Sequence, residues 1–205
     1  MRYLLLSSCI FLLAGCSSVY KNLQPATGDI NYLQKFKPDF KNALYKAEID
    51  VVGHHLSGLL LIKTLPDTTI RMVFSTETGF KFFDFAFSPD GGFKVFYVVK
   101  QMDKKAVIKT LRKDFELILL PQKNYKSAYL LKDDYNLYYI FPKPKGSFCY
   151  ITDFKGTEMK IMEISSPHKP IVQAIMKDDF NGIPDTIGIS HKNFNFTIGL
   201  KKIDR

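Results

Sequence analysis

The sequence predicts an α+β domain in which a curved antiparallel sheet, an incomplete half-barrel of about ten strands, is covered by short helices on its concave side. Two observations predict this class. Apolar and polar residues alternate through most of the chain, which is the pattern of half-buried strands. One longer stretch, residues 103–119, instead repeats its apolar residues at helical spacing before Pro121. Because the chain contains no internal repeat and no low-complexity segment, one folded domain is expected.

The first strands are predicted within residues 46–100. Alternating segments there are separated by turn residues, and the sequence Ser88-Pro89-Asp90-Gly91-Gly92 indicates a hairpin. Four consecutive antiparallel strands are the simplest interpretation. Upstream, residues 30–40 place apolar side chains at helical spacing, so a short N-terminal helix is expected to end or kink at Pro38.

Alternation returns after the helix predicted at residues 103–119, for which Asp103 is the expected N-cap. The clearest strand is the last, where Phe194, Phe196 and Ile198 share one face. The alternating segments of this second group are residues 135–141, 148–154, 159–164, 171–177, 183–191 and 194–201.

The N-terminus has the organisation of a secretory signal. Arg2 precedes an apolar run, residues 3–13, that is too short to span a bilayer. The run closes with Leu13-Ala14-Gly15-Cys16, which resembles the lipobox of bacterial lipoproteins. That resemblance implies that Cys16 is acylated and becomes the first residue of the mature protein. An ordinary cleaved secretory peptide with a chance cysteine is the alternative.

Location and domain boundaries follow from this motif. Ser17 and Ser18 stand where an Asp retains lipoproteins of the enterobacterial kind in the inner membrane, so the resemblance implies a lipid anchor in the outer membrane, facing the periplasm. Residues 1–15 are predicted as signal peptide, residues 16–29 as the acylated Cys and a flexible tether, and residues 30–205 as the folded domain.

The chain is basic, with a formal net charge of +9 and a sequence pI of about 9.3. Such a charge is compatible with nucleic acid or anionic lipid as a partner. The secretory route argues against nucleic acid, so none is expected. The lysines are dispersed, and we interpret most of them as solvated faces, with weak attraction to an anionic membrane surface as the functional alternative.

Cysteine usage argues against an intramolecular disulfide. Cys9 leaves with the signal and Cys16 is acylated, so Cys149 has no partner in the mature chain. Because Phe148 and Tyr150 flank it in an apolar run, Cys149 is expected to be a small buried core residue.

No arrangement of residues indicates enzyme chemistry. His54 and His55 are adjacent, so in a strand or turn they point apart, and His168 and His191 are distant in sequence. The chain has neither metal-ligand spacing nor a Gly-x-Ser-x-Gly nucleophile motif. We therefore expect a protein that is not an enzyme, with no metal and no cofactor, and interpret the histidines as ordinary turn or surface residues.

An excess of aromatic residues is the strongest indication of a binding function: the chain has 18 Phe, 11 Tyr and no Trp. A one-sided sheet covered by one or two helices has limited means of filling such a concave surface, so the inner face is interpreted as an apolar cavity that accepts acyl chains. A tightly packed core is the alternative. The side chains expected to line the cavity are Leu59, Leu61, Met72, Phe74, Phe83, Phe85, Phe87, Val95, Tyr97, Phe194, Phe196 and Ile198.

The order of elements resembles the LolA/LolB-like superfamily of periplasmic lipoprotein carriers and outer-membrane lipoprotein receptors. The shared features are the lipobox, the tether, the short helix, the strands with their Pro-Asp-Gly-Gly hairpin, the following helix, and Gly182-Ile183-Pro184 before two closing strands. The resemblance, nearest to the receptors, implies an incomplete barrel with a helical lid. It implies as partners an acylated lipoprotein or lipid cargo, a LolA-like periplasmic carrier and outer-membrane lipids; a monomer is expected.

The loop at residues 75–79 matches the family most closely and also departs from it. In the family's receptor this loop carries an exposed leucine just before the glycine, which inserts cargo into the membrane. Here Thr78 precedes Gly79, and Phe80 is the nearby apolar candidate, so these three residues are predicted as a membrane-insertion loop. We therefore expect a lipoprotein that binds acyl chains and helps to deliver them to the outer membrane. A structural or assembly lipoprotein without lipid transfer is the alternative.

Overall fold

The computed structural model describes residues 18–51, 53–120, 127–180 and 182–203. Within these ranges the chain forms one antiparallel sheet, one α-helix and one 3-10 helix. The predicted signal peptide and Cys16 lie outside the described residues.

The α-helix, α1, spans Lys105–Ile118, and the 3-10 helix spans Ile30–Phe36. The strands are β1 (Gln24–Ala26), β2 (Asn42–Val51), β3 (His54–Thr64), β4 (Ile70–Ser75), β5 (Lys81–Phe87), β6 (Phe93–Val98), β7 (Tyr129–Lys132), β8 (Asn136–Lys143), β9 (Gly146–Asp153), β10 (Met159–Ser165), β11 (Pro170–Phe180), β12 (Ile183–His191) and β13 (Phe196–Lys202).

The sheet is open. Its strand order is β1-β7-β8-β9-β10-β11-β12-β13-β2-β3-β4-β5-β6, with antiparallel neighbours throughout. The predicted α+β class with an open antiparallel sheet is confirmed, with thirteen strands in the described ranges where about ten were expected. The first group contains five strands rather than four. β1 and β7 were not predicted because three and four residues are too few for alternation to be recognised.

One helix contacts both halves of the sheet, which requires the sheet to curve around it. The ring of Phe115 in α1 lies 5.7 Å from the ring of Phe83 in β5. Nearby, the Leu117 carbonyl accepts a 3.1 Å hydrogen bond from the Tyr150 hydroxyl in β9. Eight strand intervals separate β5 from β9, roughly 38 Å in a flat sheet. Because a helix is only about 10–12 Å wide with its side chains, the sheet curls, with α1 on its inner, concave face.

Alternation along the strands separates this inner face from an outer face. In β2, Tyr45, Ala47 and Ile49 are buried inward, whereas the residues between them are exposed. The inner side chains join α1 and Leu33 of the 3-10 helix in the main apolar core. A smaller apolar cluster on the outer face contains Cys149, whose predicted burial is confirmed.

The segment predicted as a flexible tether, residues 16–29, contacts the folded body from Ser18 onwards. The Ser18 hydroxyl donates to the Pro167 carbonyl at 3.0 Å. The Val19 N–H donates to the His168 carbonyl at 3.0 Å. The described part of this segment therefore differs from a free tether, because its polar groups find partners on the turn between β10 and β11.

Candidate functional site

The inner face gathers most of the residues predicted to bind acyl chains. Strand alternation directs their side chains toward α1. Phe83 and Phe85, for example, stack with ring centroids 4.5 Å apart. Their role in binding stays a prediction, but their placement is clear. The predicted residues that lie on this face with 0–6% of their surface exposed are Met72, Phe74, Phe83, Phe85, Phe87, Phe196 and Ile198.

Helix α1 covers this aromatic surface with its apolar stripe. Leu111, Phe115 and Ile118 are buried and recur at helical spacing. Phe115 also meets Phe87 edge to face, with centroids 6.4 Å apart. Because Phe83 and Phe115 are completely buried, α1 fills the space beside them that was predicted to be a cavity. An acyl chain can reach these rings only if α1 moves.

Three of the predicted lining residues face the other way. Leu59 and Leu61 lie on the outer face, because β3 buries Leu60 between them. Tyr97 pairs with Asp84 and also lies on the outer face, because an irregularity between β5 and β6 shifts the alternation. The expectation that these three side chains share the inner face was therefore wrong.

Two further predicted residues lie at the rim of the inner face. Val95 pairs with Phe85 but is exposed, because β6 is an edge strand. Phe194 precedes β13, where its ring stacks on Phe196 with centroids 5.9 Å apart while its other side is exposed. These positions mark where the inner face opens to solvent.

A buried polar pair joins α1 to the sheet. Oδ2 of Asp114 lies 2.9 Å from Nε2 of His191 at the end of β12, and the two side chains are 1% and 5% exposed. Within the described residues, Oδ1 of Asp114 and Nδ1 of His191 have no hydrogen-bond partner. Burial raises the pKa of Asp114, although the hydrogen bond with His191 opposes that shift. The expectation that His191 is an ordinary turn or surface residue was wrong.

Helix α1 is held more weakly at its start than at its end. Its N-cap is Lys104 rather than the predicted Asp103, and the cap makes no side-chain hydrogen bond. Lys104 and Lys105 also place positive charge at the helix N-terminus, where the helix dipole disfavours cations. The buried residues of α1 all lie within residues 111–118. The N-terminal half of α1 therefore has fewer stabilising contacts than the C-terminal half.

The loop predicted for membrane insertion, residues 76–80, is a tight turn. Thr76 Oγ1 accepts a 3.0 Å hydrogen bond from the Phe80 N–H. Gly79 has φ +89°, a conformation that glycine adopts without strain. Phe80 is 53% exposed, and its ring meets Phe82 edge to face at 5.5 Å. Phe80 thus precedes β5 and has the exposure that a membrane contact requires.

An ionic cluster on the outer face links β4 to β5. Arg71 donates to both carboxylate oxygens of Asp84, at 2.8 and 2.9 Å, and Lys81 donates at 3.1 Å. Burial by itself would raise the pKa of Asp84, but the hydrogen bonds from Arg71 and Lys81 bring it below its ordinary value. The Arg71 guanidinium also lies 4.5 Å from the ring centroid of Phe96, so the cluster extends to β6.

Other candidate sites are weaker. Two shallow depressions, of about 490 and 450 Å³, lie on the outer face above Gly188 and Gly199, and residues of both charge signs line them. No group of three or more His, Cys, Asp or Glu side chains that could hold a metal occurs in the described ranges. None of the helices in those ranges is long and apolar enough to cross a membrane.

Comparison with known proteins finds similar folds among solved structures. Neither a protein-family model nor a curated protein matches the chain. A solved LolA superfamily protein from Nitrosomonas europaea is 9% identical, aligns over 85% of this chain and 90% of its own, and has a TM-score of 0.53. Two others align over the same shares: a Vibrio parahaemolyticus domain assigned to outer membrane lipoprotein sorting (8% identity, TM-score 0.48) and a Desulfovibrio piger DUF1329 family protein (9%, 0.42).

In the described residues, an open antiparallel sheet curled around α1 defines the class of fold. The chain has the LolA-superfamily fold. The predicted resemblance is therefore confirmed at the level of the superfamily fold, while the nearer likeness to the receptors stays a prediction.

Proposed function

We propose that this protein is an outer-membrane-anchored lipoprotein that binds the acyl chains of lipoproteins or lipids beneath α1 and helps to deliver them to the outer membrane. The observation that carries the proposal is the aromatic inner face covered by a single helix in a LolA-superfamily fold. Binding needs no covalent chemistry, because burial of apolar surface contributes ~25 cal/mol per Å².

Acyl chains replace α1 on the inner face in this proposal. Lifting the helix exposes Phe83, Phe87 and Phe115, and the acyl chain restores their apolar contacts. A bilayer offers the acyl chain an equally apolar environment. Moving the cargo from the protein to the bilayer therefore changes the free energy of the cargo itself very little. The return of α1 to the emptied inner face supports release, because it buries Phe115 again.

The geometry of the turns supports delivery at one end of the sheet. Antiparallel hairpins place alternate turns at opposite ends. The β8–β9, β10–β11, β12–β13 and β2–β3 turns share one end, and the 76–80 loop points the same way. We call this the anchor end, because Ser18 is fastened there to Pro167. In the proposal, acylated Cys16 and the exposed Phe80 therefore approach the same membrane.

Photo-cross-linking of the full chain with a diazirine-bearing palmitate tests acyl binding. Mass spectrometry of the cross-linked peptides is expected to identify β4, β5 and α1, and unlabelled palmitate is expected to compete. Phe85→Glu places a charge on the inner face and should abolish cross-linking, whereas Phe154→Glu, at an exposed turn, should not. The proposal would be contradicted if the wild-type protein cross-links only on its outer face, or if unlabelled palmitate does not reduce the cross-linking. Both outcomes are measured on the wild-type protein and do not depend on the variants.

The filled inner face favours a second candidate, a structural or assembly lipoprotein without lipid transfer. β6 is an edge strand whose Val95, Phe96 and Tyr97 are exposed, so its backbone could pair with a strand of a partner. A photoreactive residue at position 96 that cross-links to an outer-membrane protein in cells, together with no palmitate cross-linking on the inner face, would favour this candidate.

A further inference from the structure

We infer that the anchor end of the sheet is a docking surface for anionic phospholipid, which holds the protein with this end against the membrane. The biological setting of this inference rests on the proposed lipid anchor. Its evidence is the charge and geometry of residues that the structure describes.

The N-terminal segment is fastened beside this end. The Tyr20 hydroxyl donates to Oε2 of Glu163 at 2.6 Å, and Oε1 of the same carboxylate accepts from the Gln173 amide at 2.8 Å. Glu163 is buried, so this contact fixes the segment on β10 and β11. Because Ser18 is bound to the β10–β11 turn, the described part of the chain begins at the anchor end. Cys16 is two residues away, a reach of about 7 Å at most.

The turns around this point are cationic. Lys143 ends β8, Lys145 lies in the β8–β9 turn, Lys169 in the β10–β11 turn and Lys192 in the β12–β13 turn. All four side chains are exposed, and no ion pair joins any of them to another described residue. These three turns contain no acidic residue; Glu77 lies farther away, in the 76–80 loop.

Four turns at the opposite end of the sheet have the reverse charge, whereas the segment 37–41 beside Gly182 carries Lys37 and Lys41 around Asp39. Lys155 is the only cation in the β3–β4, β5–β6, β7–β8 and β9–β10 turns, all of which lie in the described ranges. The acidic residues of the same four turns are Asp67, Asp90, Asp133, Asp134 and Glu158. The charge asymmetry thus runs along the strand direction. An anionic surface attracts the turns of the anchor end and repels those four turns, which orients the protein as well as binding it.

Exposed apolar side chains accompany the lysines. Val19 and Phe194 are both exposed at the anchor end. Isolated apolar groups among lysines are suited to the interfacial zone of a bilayer, where the lysines meet phosphates and the apolar groups lie between headgroups. The attachment point of the N-terminal segment at the same end favours a membrane over an acidic protein as the occupant.

Two charge-matched triple variants test the inference. The test variant replaces three lysines of the anchor-end turns, namely Lys145→Glu, Lys169→Glu and Lys192→Glu. The control replaces three exposed lysines elsewhere, namely Lys63→Glu, Lys109→Glu and Lys155→Glu. Both carry the same change in net charge, and circular dichroism with thermal melting verifies that both fold.

Each variant is made in the full chain carrying Cys16→Ser, so that the proposed acyl anchor contributes nothing. The parent chain is expected to co-sediment at least about tenfold more strongly with phosphatidylcholine vesicles that contain phosphatidylglycerol than with phosphatidylcholine alone. The test variant should lose this preference, and the control should keep most of it. High salt should weaken the binding of the parent chain and of the control.

Equal losses in the two variants would overturn the inference, because net charge rather than the anchor end would then determine binding. A parent chain without any preference for phosphatidylglycerol would also overturn it and would leave an acidic protein as the occupant of this end. Whether Cys16 is acylated is measured separately by palmitate labelling of the wild-type chain. Failure of the anchor and failure of the docking surface are therefore distinguishable.

Discussion

Asp114 and His191, 77 positions apart in the chain, meet at 2.9 Å across the contact between α1 and β12. The rest of this contact is dominated by apolar side chains. Apolar contacts stabilise the packing of α1 on the sheet but are less directional than a hydrogen bond. The polar pair adds directional specificity. It also links the docking of α1 to the protonation state of a buried carboxyl group.

Removing the histidine from this pair should weaken the helix–sheet contact. His191→Ala leaves the Asp114 carboxylate buried without its partner, so the free energy of unfolding should fall by about 3 kcal/mol. His191→Gln can still donate a hydrogen bond and should lose less. Urea unfolding monitored by circular dichroism measures both, and equal losses would show that the hydrogen bond contributes nothing.

The stability contributed by Asp114 should depend on pH. Because its pKa in the folded protein is raised above 3.8, its contribution is fully present below that ordinary value and is lost as the pH rises through the raised value. Asp114→Asn imitates the protonated carboxyl. Its free energy of unfolding should exceed that of wild type at neutral pH, and the difference should shrink toward pH 4. A difference that is independent of pH would contradict the raised pKa.

Asp84 on the outer face should show the opposite pH dependence. Its lowered pKa means that its contribution is present above 3.8 and is lost as the pH falls through the lowered value. Arg71→Leu should therefore lower the free energy of unfolding by about 1–2 kcal/mol at neutral pH and by less in strong acid. Arg112→Leu, which breaks the more exposed pair with Glu116, is the control and should cost about 0.5 kcal/mol.

The lipobox prediction is tested at Cys16. Cys16→Ser should abolish metabolic labelling with palmitate and leave the precursor unacylated and mislocalised, since a single thiol carries the proposed anchor. The labelled wild-type protein should fractionate with the outer membrane. Persistent labelling of the variant would place the acyl group elsewhere and remove the assignment.

The 76–80 loop is tested by separating binding from delivery. Phe80→Glu places a charge at an exposed position outside the inner face. Palmitate cross-linking should therefore be unchanged, whereas transfer of cargo from a loaded carrier to liposomes should fall at least about tenfold. Phe154→Glu makes the same change on an exposed aromatic residue at the opposite end. If both variants transfer cargo as wild type does, the loop has no insertion role.

Alternation in the sequence predicted the inner face correctly in strands whose other face carries polar or small residues. In β5 and β13 it correctly predicted the burial of Phe83, Phe85 and Phe196. It failed in the continuous apolar run at residues 59–62, because both faces of that strand are apolar and the pattern does not define which residues point inward. The bulge beside β6, which turns Tyr97 outward, has no sequence signal of its own.

Contacts between distant parts of the chain were beyond pattern analysis. His191 looks like a turn residue in its local sequence, and only the fold brings Asp114 to it. The same holds for Ser18 and Tyr20, whose polar neighbours in sequence predict a tether, while their partners lie on β10 and the turn after it. Periodicity describes single elements, and these contacts depend on how the elements meet.

The position of β13 sets the order in which this protein can fold. The last strand lies in the middle of the sheet between β12 and β2, where Lys202 pairs with Tyr45. Two meanders, β2–β6 and β7–β12, are thus joined in the sheet through β13, and pairing β13 with β2 closes a long loop, which is slow. The sheet is therefore incomplete until β13 pairs with both β12 and β2. Loss of β13 would divide the sheet in two.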